Sequence, residues 1–462
     1  MNEIKFGTDG WRGVISENFT FANVRIVAQA AADYFKTLKH KNKNIIVGYD
    51  MRYMSEKYAE ISAKVLAGNG FSVTLSKRAV STPVVSWAVV DRQALAGIMI
   101  TASHNPPEYN GFKVKSKLGA AISPSETKAI ESLLGKNAPK NSDKIGTDNL
   151  EGSYLKKVSS FVDLKTIKKS KFKVVIEPLW GSSQGYLLSI LKGSNLKLFP
   201  IHHYRDVLFG GVSPEPLNHN LTDLKNEIKR VHADVGLIAD GDGDRVAVMD
   251  DKGVFYSTQF IIPLLMLHLL DNKKLRGDVV QTNSVSSAVE IIAKDYGLKV
   301  HKTPIGFKYI ADLMLKEDIL IGGEESGGIG VKGYIPERDG VLMGLLMLEM
   351  MAQSGKTIRQ LLRDVEKRYG KFCYDRVDIR YSPEKRDKIF KFLDTASFEK
   401  IAGMKVKEIT RFDGTKFIFE DLSWLLLRGS GTEPVLRIYS ESKSEDKVRK
   451  LLAFGKSSAL SL

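Results

Sequence analysis

Four short stretches of this sequence carry residue types whose spacing could do chemistry. The first is Thr101-Ala102-Ser103-His104-Asn105-Pro106-Pro107-Glu108-Tyr109-Asn110-Gly111. Pro106 and Pro107 lack backbone N–H groups and Asn110-Gly111 signals a turn, so the stretch is a loop. The apolar run 95–100 before it reads as a buried strand. Ser103 is thus expected at a strand's C-terminal end, where open α/β sheets keep their chemistry. A hydroxyl there can serve as a nucleophile, although a serine in an ordinary polar turn would look the same in isolation. Gly-x-Ser-x-Gly is absent and adjacent side chains usually diverge, so His104 is expected to position the loop and not to act as a base.

The second stretch is Asp240-Gly241-Asp242-Gly243-Asp244-Arg245, directly after the strand-like run 235–239. Glycines between three alternating carboxylates let the backbone curl until all three face one hard cation. An EF-hand loop would need glycine at its sixth position and glutamate at its twelfth, where this chain has Arg245 and Asp251. Mg²⁺, which keeps open positions for phosphate oxygens, suits the pattern better; a solvated acidic turn is the competing reading. The third stretch, Gly322-Gly323-Glu324-Glu325-Ser326-Gly327-Gly328, offers acids and a hydroxyl of the kind that grip sugar hydroxyls, or simply a flexible glycine turn. The fourth, Arg428-Gly429-Ser430-Gly431-Thr432-Glu433-Pro434, can cradle phosphate with freed N–H groups, two hydroxyls and a guanidinium fork, or can be a plain hairpin turn. Gly355-Lys356-Thr357 resembles the end of a Walker A loop, but Met350 stands where the earlier glycine is required.

The elements that would position these loops alternate along the chain. Strand-like 44–50 precedes helix-like 55–68, strand-like 71–75 and helix-like 86–91. The polar stretch 135–148 reads as a linker. The cycle restarts with strand-like 172–177, helix-like 183–191 and strand-like 234–239, and again with 277–282, 286–295 and 319–322. Beyond these, strand-like 377–381, 424–427 and 435–439 suggest a smaller α+β unit. The expected fold class is α/β, with three related α/β domains (1–150, 151–253, 254–369) and an α+β domain (370–462) around a central cleft. The leading functional residues fall at 103, 240, 324 and 428, about one domain apart. A hydroxyl nucleophile, a metal site, a sugar grip and a phosphate cradle together describe a cleft for moving a phosphoryl group on a sugar.

Composition is consistent with this and excludes other classes. The chain has 462 residues, 43% hydrophobic, which is globular and too long for one core. Its single cysteine, Cys373, cannot form an internal disulfide, and the N-terminus has no signal-like apolar core, so a cytoplasmic location is expected. The apolar run 260–270 is too short to span a membrane. The net charge of +15 is scattered, with no aromatic interleaving, zinc-finger spacing or RNA-binding signature, so neither nucleic acid nor membrane is an expected partner.

With Phe6-Gly7-Thr8-Asp9-Gly10-Trp11-Arg12-Gly13 added, the four ordered motifs resemble the α-D-phosphohexomutase superfamily, within it the phosphoglucomutase/phosphomannomutase branch, over essentially the whole chain. The resemblance implies four domains in a heart shape around a cleft, and Ser103 carried as phosphoserine. It implies that Asp240, Asp242 and Asp244 bind Mg²⁺ together with that phosphate, with Arg245 beside the loop. Glu324 and Ser326 would bind the sugar, Thr303 and Gly306 help set its orientation, and Arg428, Ser430, Gly431 and Thr432 hold the non-reacting phosphate. Arg12 and Lys113 would lie near the phosphoserine, and Lys113 is a candidate acid or base if its pKa is lowered. The implied reaction is reversible transfer between C1 and C6 of a hexose phosphate, with glucose 1,6-bisphosphate as activator. Two departures matter. Gly328 stands where some relatives have His, which weakens an imidazole from that loop. Glu325 stands where the phosphoglucosamine branch has Gln, which favours glucose or mannose phosphate. A bisphosphate synthase or phosphatase, and a phosphoglucosamine mutase, are the alternatives.

Overall fold

Short runs such as Asn44-Ile45-Ile46-Val47-Gly48-Tyr49 are apolar on both faces, the pattern of strands covered on both sides by helices. The computed structural model describes residues 4–7, 9–430 and 434–460, so the expectations for Gly431 and Thr432 fall outside the described residues. Among the described residues there are four sheets. In the first, β1 (Trp11–Val14), β2 (Asn44–Tyr49), β3 (Ser72–Ser76), β4 (Ala96–Ile100), β5 (Tyr109–Ser116) and β6 (Gly146–Asp148) take the order β1-β5-β4-β2-β3-β6. In the second, β7 (Lys173–Glu177), β8 (Lys197–Pro200), β9 (Val235–Ala239), β10 (Val246–Asp250) and β11 (Phe255–Tyr256) take the order β11-β10-β9-β7-β8. The third runs β13-β12-β14-β15, from β12 (Asp278–Thr282), β13 (Val300–Thr303), β14 (Ile319–Gly323) and β15 (Ile329–Val331).

One pattern recurs in these three sheets. The strands β3-β2-β4, β8-β7-β9 and β13-β12-β14 are parallel, and helices such as Ser55–Gly68, Thr222–Val231 and Phe307–Lys316 make the crossovers. The third parallel strand of each set then turns back into an antiparallel neighbour, β5, β10 or β15. Those three turns hold Ser103, the aspartate triad and Glu324 respectively. The three loops therefore occupy one topological position, repeated three times.

The fourth sheet is antiparallel throughout. Its strands β16 (Cys373–Arg380), β17 (Lys400–Ile401), β18 (Met404–Thr410), β19 (Thr415–Phe419), β20 (Trp424–Gly429) and β21 (Val435–Ser442) take the order β16-β21-β20-β19-β18-β17. Helices Arg386–Thr395 and Glu445–Leu460 accompany it, giving the expected α+β unit.

The cores divide in the same way. A single apolar cluster takes Val85 and Met99 from the first unit, Val174 and Leu237 from the second, and Val279 and Ile321 from the third. Helix Gly340–Ser354, buried from Gly340 through Met351, runs through that cluster, and the Asp339 carboxylate caps its first turn by accepting from Leu342 N–H. Leu425, Leu427, Leu436, Ile438 and Leu451 form a separate core for the fourth unit.

Two sequence expectations need correcting. The stretch 135–148 is not all linker, because Gly146–Asp148 pairs in parallel with β3 at the sheet's edge. Its residues are exposed and polar, so it lacks the alternation by which strands are recognised. The helix expected at 86–91 begins at Thr82, where Pro83 occupies the first turn, whose N–H groups need no helical acceptor. No helix among the described residues is long and apolar enough to cross a membrane.

Candidate active site

The β4–β5 loop is held open by one buried guanidinium. Arg52 lies just beyond β2 and donates to the carbonyls of Ser103, Asn105, Pro106 and Tyr109. Asp50 pairs with Arg52 at 3.3 Å and accepts from Thr101 Oγ1 at 2.5 Å and Ser55 Oγ at 2.7 Å. The Phe209 ring covers the guanidinium at 5.0 Å. These contacts hold Ser103 in the left-handed region at φ 53°, with its N–H donated to Thr101 Oγ1 at 2.9 Å. That conformation brings neighbouring side chains together. His104 Nδ1 lies 3.3 Å from Ser103 Oγ, contrary to the divergence expected of adjacent residues. Burial, then the charges of Arg245, Arg12, Lys113 and Arg52, push the His104 pKa well down, so its imidazole is neutral.

The β9–β10 loop meets this loop backbone to backbone. A Cβ on Gly241 would sit 2.7 Å from the Ser103 carbonyl oxygen, and Gly243 turns the chain at φ 72°. Ser103 Oγ donates to Asp240 Oδ2 at 2.9 Å, while Asp240 Oδ1 accepts from the N–H groups of Asp244 and Arg245. One oxygen from each of Asp240, Asp242 and Asp244 lies within 4.8 Å of the others. Asp242 Oδ1 and Asp244 Oδ1 are buried without a hydrogen-bond partner. Burial and repulsion from Asp242 and Asp244 push the Asp240 pKa well up. Hard oxygen donors, orphaned and mutually repelling, fit a divalent cation such as Mg²⁺.

Strand alternation supplies the counter-charge. Phe112 and Val114 on β5 face the core, so Lys113 and Lys115 face the carboxylates. Lys113 Nζ contacts Asp242 Oδ2 at 2.8 Å, Asp9 Oδ2 at 2.9 Å and Asp244 Oδ2 at 3.4 Å. Burial works to lower its pKa, but Asp242, Asp9 and Asp244 outweigh it and hold the ammonium well above its ordinary value. In this arrangement the carboxylates favour the ammonium, the opposite direction to the lowering that a lysine base requires. Arg12, on β1, donates through Nη1 to Asn105 Oδ1, and Arg245 Nη1 reaches Glu215 Oε1 at 3.2 Å.

In the β14–β15 loop Glu324 is buried, which pushes its pKa up, and its Oε1 accepts from Gly306 N–H at 2.8 Å. Thr303, at the end of β13, has a buried Oγ1 with no partner, and Ser326 is half-buried on the loop. Glu325 turns the other way, to Tyr374 OH at 2.8 Å and Arg376 Nη1 at 3.4 Å on the fourth sheet. A Cβ at Gly328 would sit 2.3 Å from Arg338 Cδ. Arg338 thus occupies the space an imidazole at 328 would need, and its Nη2 bridges Asp244 at 2.6 Å and Asp9 at 3.0 Å. On the fourth sheet Arg428 Nε donates to Asp413 Oδ1 at 2.9 Å, and Ser430 is buried with its N–H donated to Val435 O at 2.8 Å.

The structure thus brings Ser103, Lys113, Asp240, Asp242 and Asp244 into direct contact, with Glu324 linked to them through Arg338, whose Nη1 lies 3.8 Å from Glu324 Oε2. Sequence reasoning overlooked Asp9, Arg52, Arg338 and Asp413. Arg52 had a usable signal, since Asp50-Met51-Arg52 follows a strand just as Ser103 does.

A chain with three repeated α/β units, an α+β unit and a serine set against an aspartate triad has the makings of a phosphoryl-transfer enzyme acting on sugars. It matches four families: phosphoglucomutase/phosphomannomutase alpha/beta/alpha domains I (residues 3–141), II (152–253) and III (258–369), and the C-terminal domain (383–454). The chain belongs to the phosphoglucomutase/phosphomannomutase family of the α-D-phosphohexomutase superfamily. It is 30% identical over 455 residues to a phosphoglucomutase/phosphomannomutase of Thermococcus kodakarensis, covering 97% of each chain. It is 31% identical over 460 residues, again 97% of each, to a phosphoglucosamine/phosphogalactosamine mutase of Sulfurisphaera tokodaii. A crystal structure assigned as a phosphomannomutase from Thermus thermophilus superposes with a TM-score of 0.89 at 33% identity, covering 99% of both chains.

Proposed function

We propose that this protein reversibly moves a phosphoryl group between C1 and C6 of glucose or mannose phosphate, with Ser103 as the carrier. The observation that carries the reading is the Ser103 Oγ–Asp240 Oδ2 contact at 2.9 Å, inside a triad with orphaned carboxylate oxygens and beside the Lys113 ammonium. In the resting enzyme Ser103 holds a phosphate. The free hydroxyl of a hexose monophosphate attacks that phosphorus, the Oγ–P bond breaks, and the proton lost by the sugar is the one Oγ takes up. The bisphosphate turns over in the cleft and its other phosphate returns to Ser103 by the reverse step. Catalytic glucose 1,6-bisphosphate restores any Ser103 that has lost its phosphate.

Asp240, Asp242 and Asp244 would hold Mg²⁺ together with the phosphate on Ser103. When bound, the ion offsets charge on the transferring group. Arg52 fixes the Ser103 loop, Lys113 and Arg12 offset negative charge, Glu324, Ser326 and the 303–306 loop grip and orient the sugar, and Arg428 and Ser430 anchor the phosphate that does not react. Gly431 and Thr432 complete that anchor in the family pattern.

A hexosamine phosphate is the second reading, favoured by the Sulfurisphaera tokodaii relative's name. Glu325, whose identity favours glucose or mannose in the family pattern, is engaged here by Tyr374 and Arg376 of the fourth unit. Coupled assays with the 1-phosphates of glucose, mannose and glucosamine, with Mg²⁺ and catalytic glucose 1,6-bisphosphate, decide among them. Ser103→Ala should cut turnover by about 10³-fold or more. Full activity in that variant would sink the mechanism, and net accumulation of bisphosphate or free phosphate would point to a synthase or phosphatase.

A further inference from the structure

The turn between β18 and β19 makes a connection that the proposed mutase roles do not use. Asp413 sits in it at φ 93°, ahead of Gly414 at φ 91°, positive-φ backbone of the kind an Asp-Gly pair adopts in hairpin turns. Its two carboxylate oxygens point to different units of the protein. Oδ1 accepts from Arg428 Nε at 2.9 Å, and Oδ2 accepts from the backbone N–H of Ile305 at 2.7 Å. The next amide, Gly306 N–H, is taken at 2.8 Å by Glu324 Oε1. Two consecutive amides of the 303–306 loop are thus held by two carboxylates, one from the third unit and one from the fourth. The Asp413 carbonyl also accepts from Asn283 Nδ2 at 3.4 Å.

We propose that Asp413 is a positioning residue that couples the phosphate anchor of the fourth sheet to the sugar-orienting loop of the third. This rests on the reading of Arg428 as the phosphate anchor given above. A carboxylate on Nε fixes rotation of the guanidinium plane, so the fork presents one edge to the cleft. The same carboxylate, through Ile305, fixes the loop that ends at Gly306. Grip on the distant phosphate and orientation of the ring are then set by one side chain. A residue that served the turn alone would need neither carboxylate contact, and glycine could replace it at positive φ.

That contrast provides the test. Asp413→Gly accommodates the positive φ and removes the carboxylate. Glucose 6-phosphate is titrated by calorimetry into the full-length, Mg²⁺-loaded protein, and thermal midpoints are recorded alongside. Asp413→Gly is expected to keep or raise the midpoint while weakening glucose 6-phosphate by about tenfold, the scale of one lost charge-assisted hydrogen bond. In an Arg428→Lys background, which lacks Nε, the same substitution loses only the Ile305 contact and should weaken binding by clearly less than tenfold. Asp413→Asn keeps tolerance of positive φ and one acceptor, and should fall between wild type and Asp413→Gly. Wild-type affinity in Asp413→Gly, or an equal loss in both backgrounds, overturns the proposal. Wild-type protein that binds glucose 6-phosphate in an Asp413-dependent way but turns over none of the 1-phosphates overturns the mutase reading and leaves the coupling standing. Absence of binding by wild type overturns both.

Discussion

The first three sheets and the fourth are attached to the site in different ways. The first three share one apolar cluster threaded by helix Gly340–Ser354, and their charged groups interlock across units through Lys113, Arg338 and Asp9. The fourth has its own core and meets the third through polar contacts. Among the described residues these include Tyr374 and Arg376 on Glu325, Lys416 on the Asn283 carbonyl, Glu441 on Ser287, and Asp413 on Ile305. Shared apolar burial is lost only by unfolding, whereas hydrogen bonds contribute about 0.5–1.5 kcal/mol each and can be exchanged with water. On the proposed reading, the reacting end lies where apolar burial is shared and the phosphate anchor lies where the contacts are polar. The proposed reaction, whose intermediate turns end over end, would draw on both properties.

Experiment can challenge this contrast, beginning with the side where burial is shared. Asp242→Asn should lower turnover by about 10²-fold or more, and chelation of Mg²⁺ should do the same to wild type. Mg²⁺ should raise the thermal midpoint of wild type, by the equivalent of about 2.7 kcal/mol at a hundredfold excess over Kd, and leave Asp242→Asn unmoved. A midpoint in wild type that ignores Mg²⁺ would contradict the metal assignment. Arg338→Met strips Asp9 and Asp244 of a buried partner and should cost about 3–5 kcal/mol in denaturant titration. A loss below about 1 kcal/mol would mean that the interlock is no stronger than the polar contacts of the fourth unit.

Among those polar contacts, Lys416 lies buried over the Trp424 ring at 4.1 Å, and burial pushes its pKa down to about 8, against Glu290 and Glu441 and with Lys302. The unfolded chain keeps lysine's ordinary value of 10.5, so between those values it binds the extra proton and the folded protein does not. Stability should therefore rise with pH from about 8 to about 10.5, by up to about 1.4 kcal/mol per unit, and Lys416→Met should flatten the slope. A falling slope in wild type would contradict the burial of a neutral amine. The smallest effect is expected for Glu325→Gln, which keeps a hydrogen bond to Tyr374 but loses charge against Arg376. It should cost about 1 kcal/mol or less and raise protease sensitivity between the third and fourth units. Unaltered cleavage would argue that Glu325 contributes little to the contact between those units.

The loops were the legible part of the sequence. Proline, glycine and clustered polar residues declare a break between strands, and the four breaks spaced one unit apart declared a common cleft. The residues that hold those loops were not legible. Arg338 finds Asp9 across 329 residues, and no local pattern announces such a pair. The direction of the Lys113 shift was equally hidden, because it depends on carboxylates that only the fold brings within 3.4 Å. Asp413 looks like any turn residue until its φ and its two partners are known. The repeated strand order was also invisible, since it is kept by topology and not by recurring residues.

The burial of helix Gly340–Ser354 has a consequence for how the protein is made. Chains emerge from the ribosome N-terminus first, and units form as their residues become available. The helix packs on helices Glu151–Phe161, Leu164–Lys169 and Tyr186–Ile190 and on strands β9 and β10, all completed by Asp250, yet it follows them in sequence. Through that interval the nascent chain carries an uncovered apolar face. Synthesis stalled before residue 354 would therefore release a fragment prone to association, whereas the fourth unit, with its own core, can close afterwards without help.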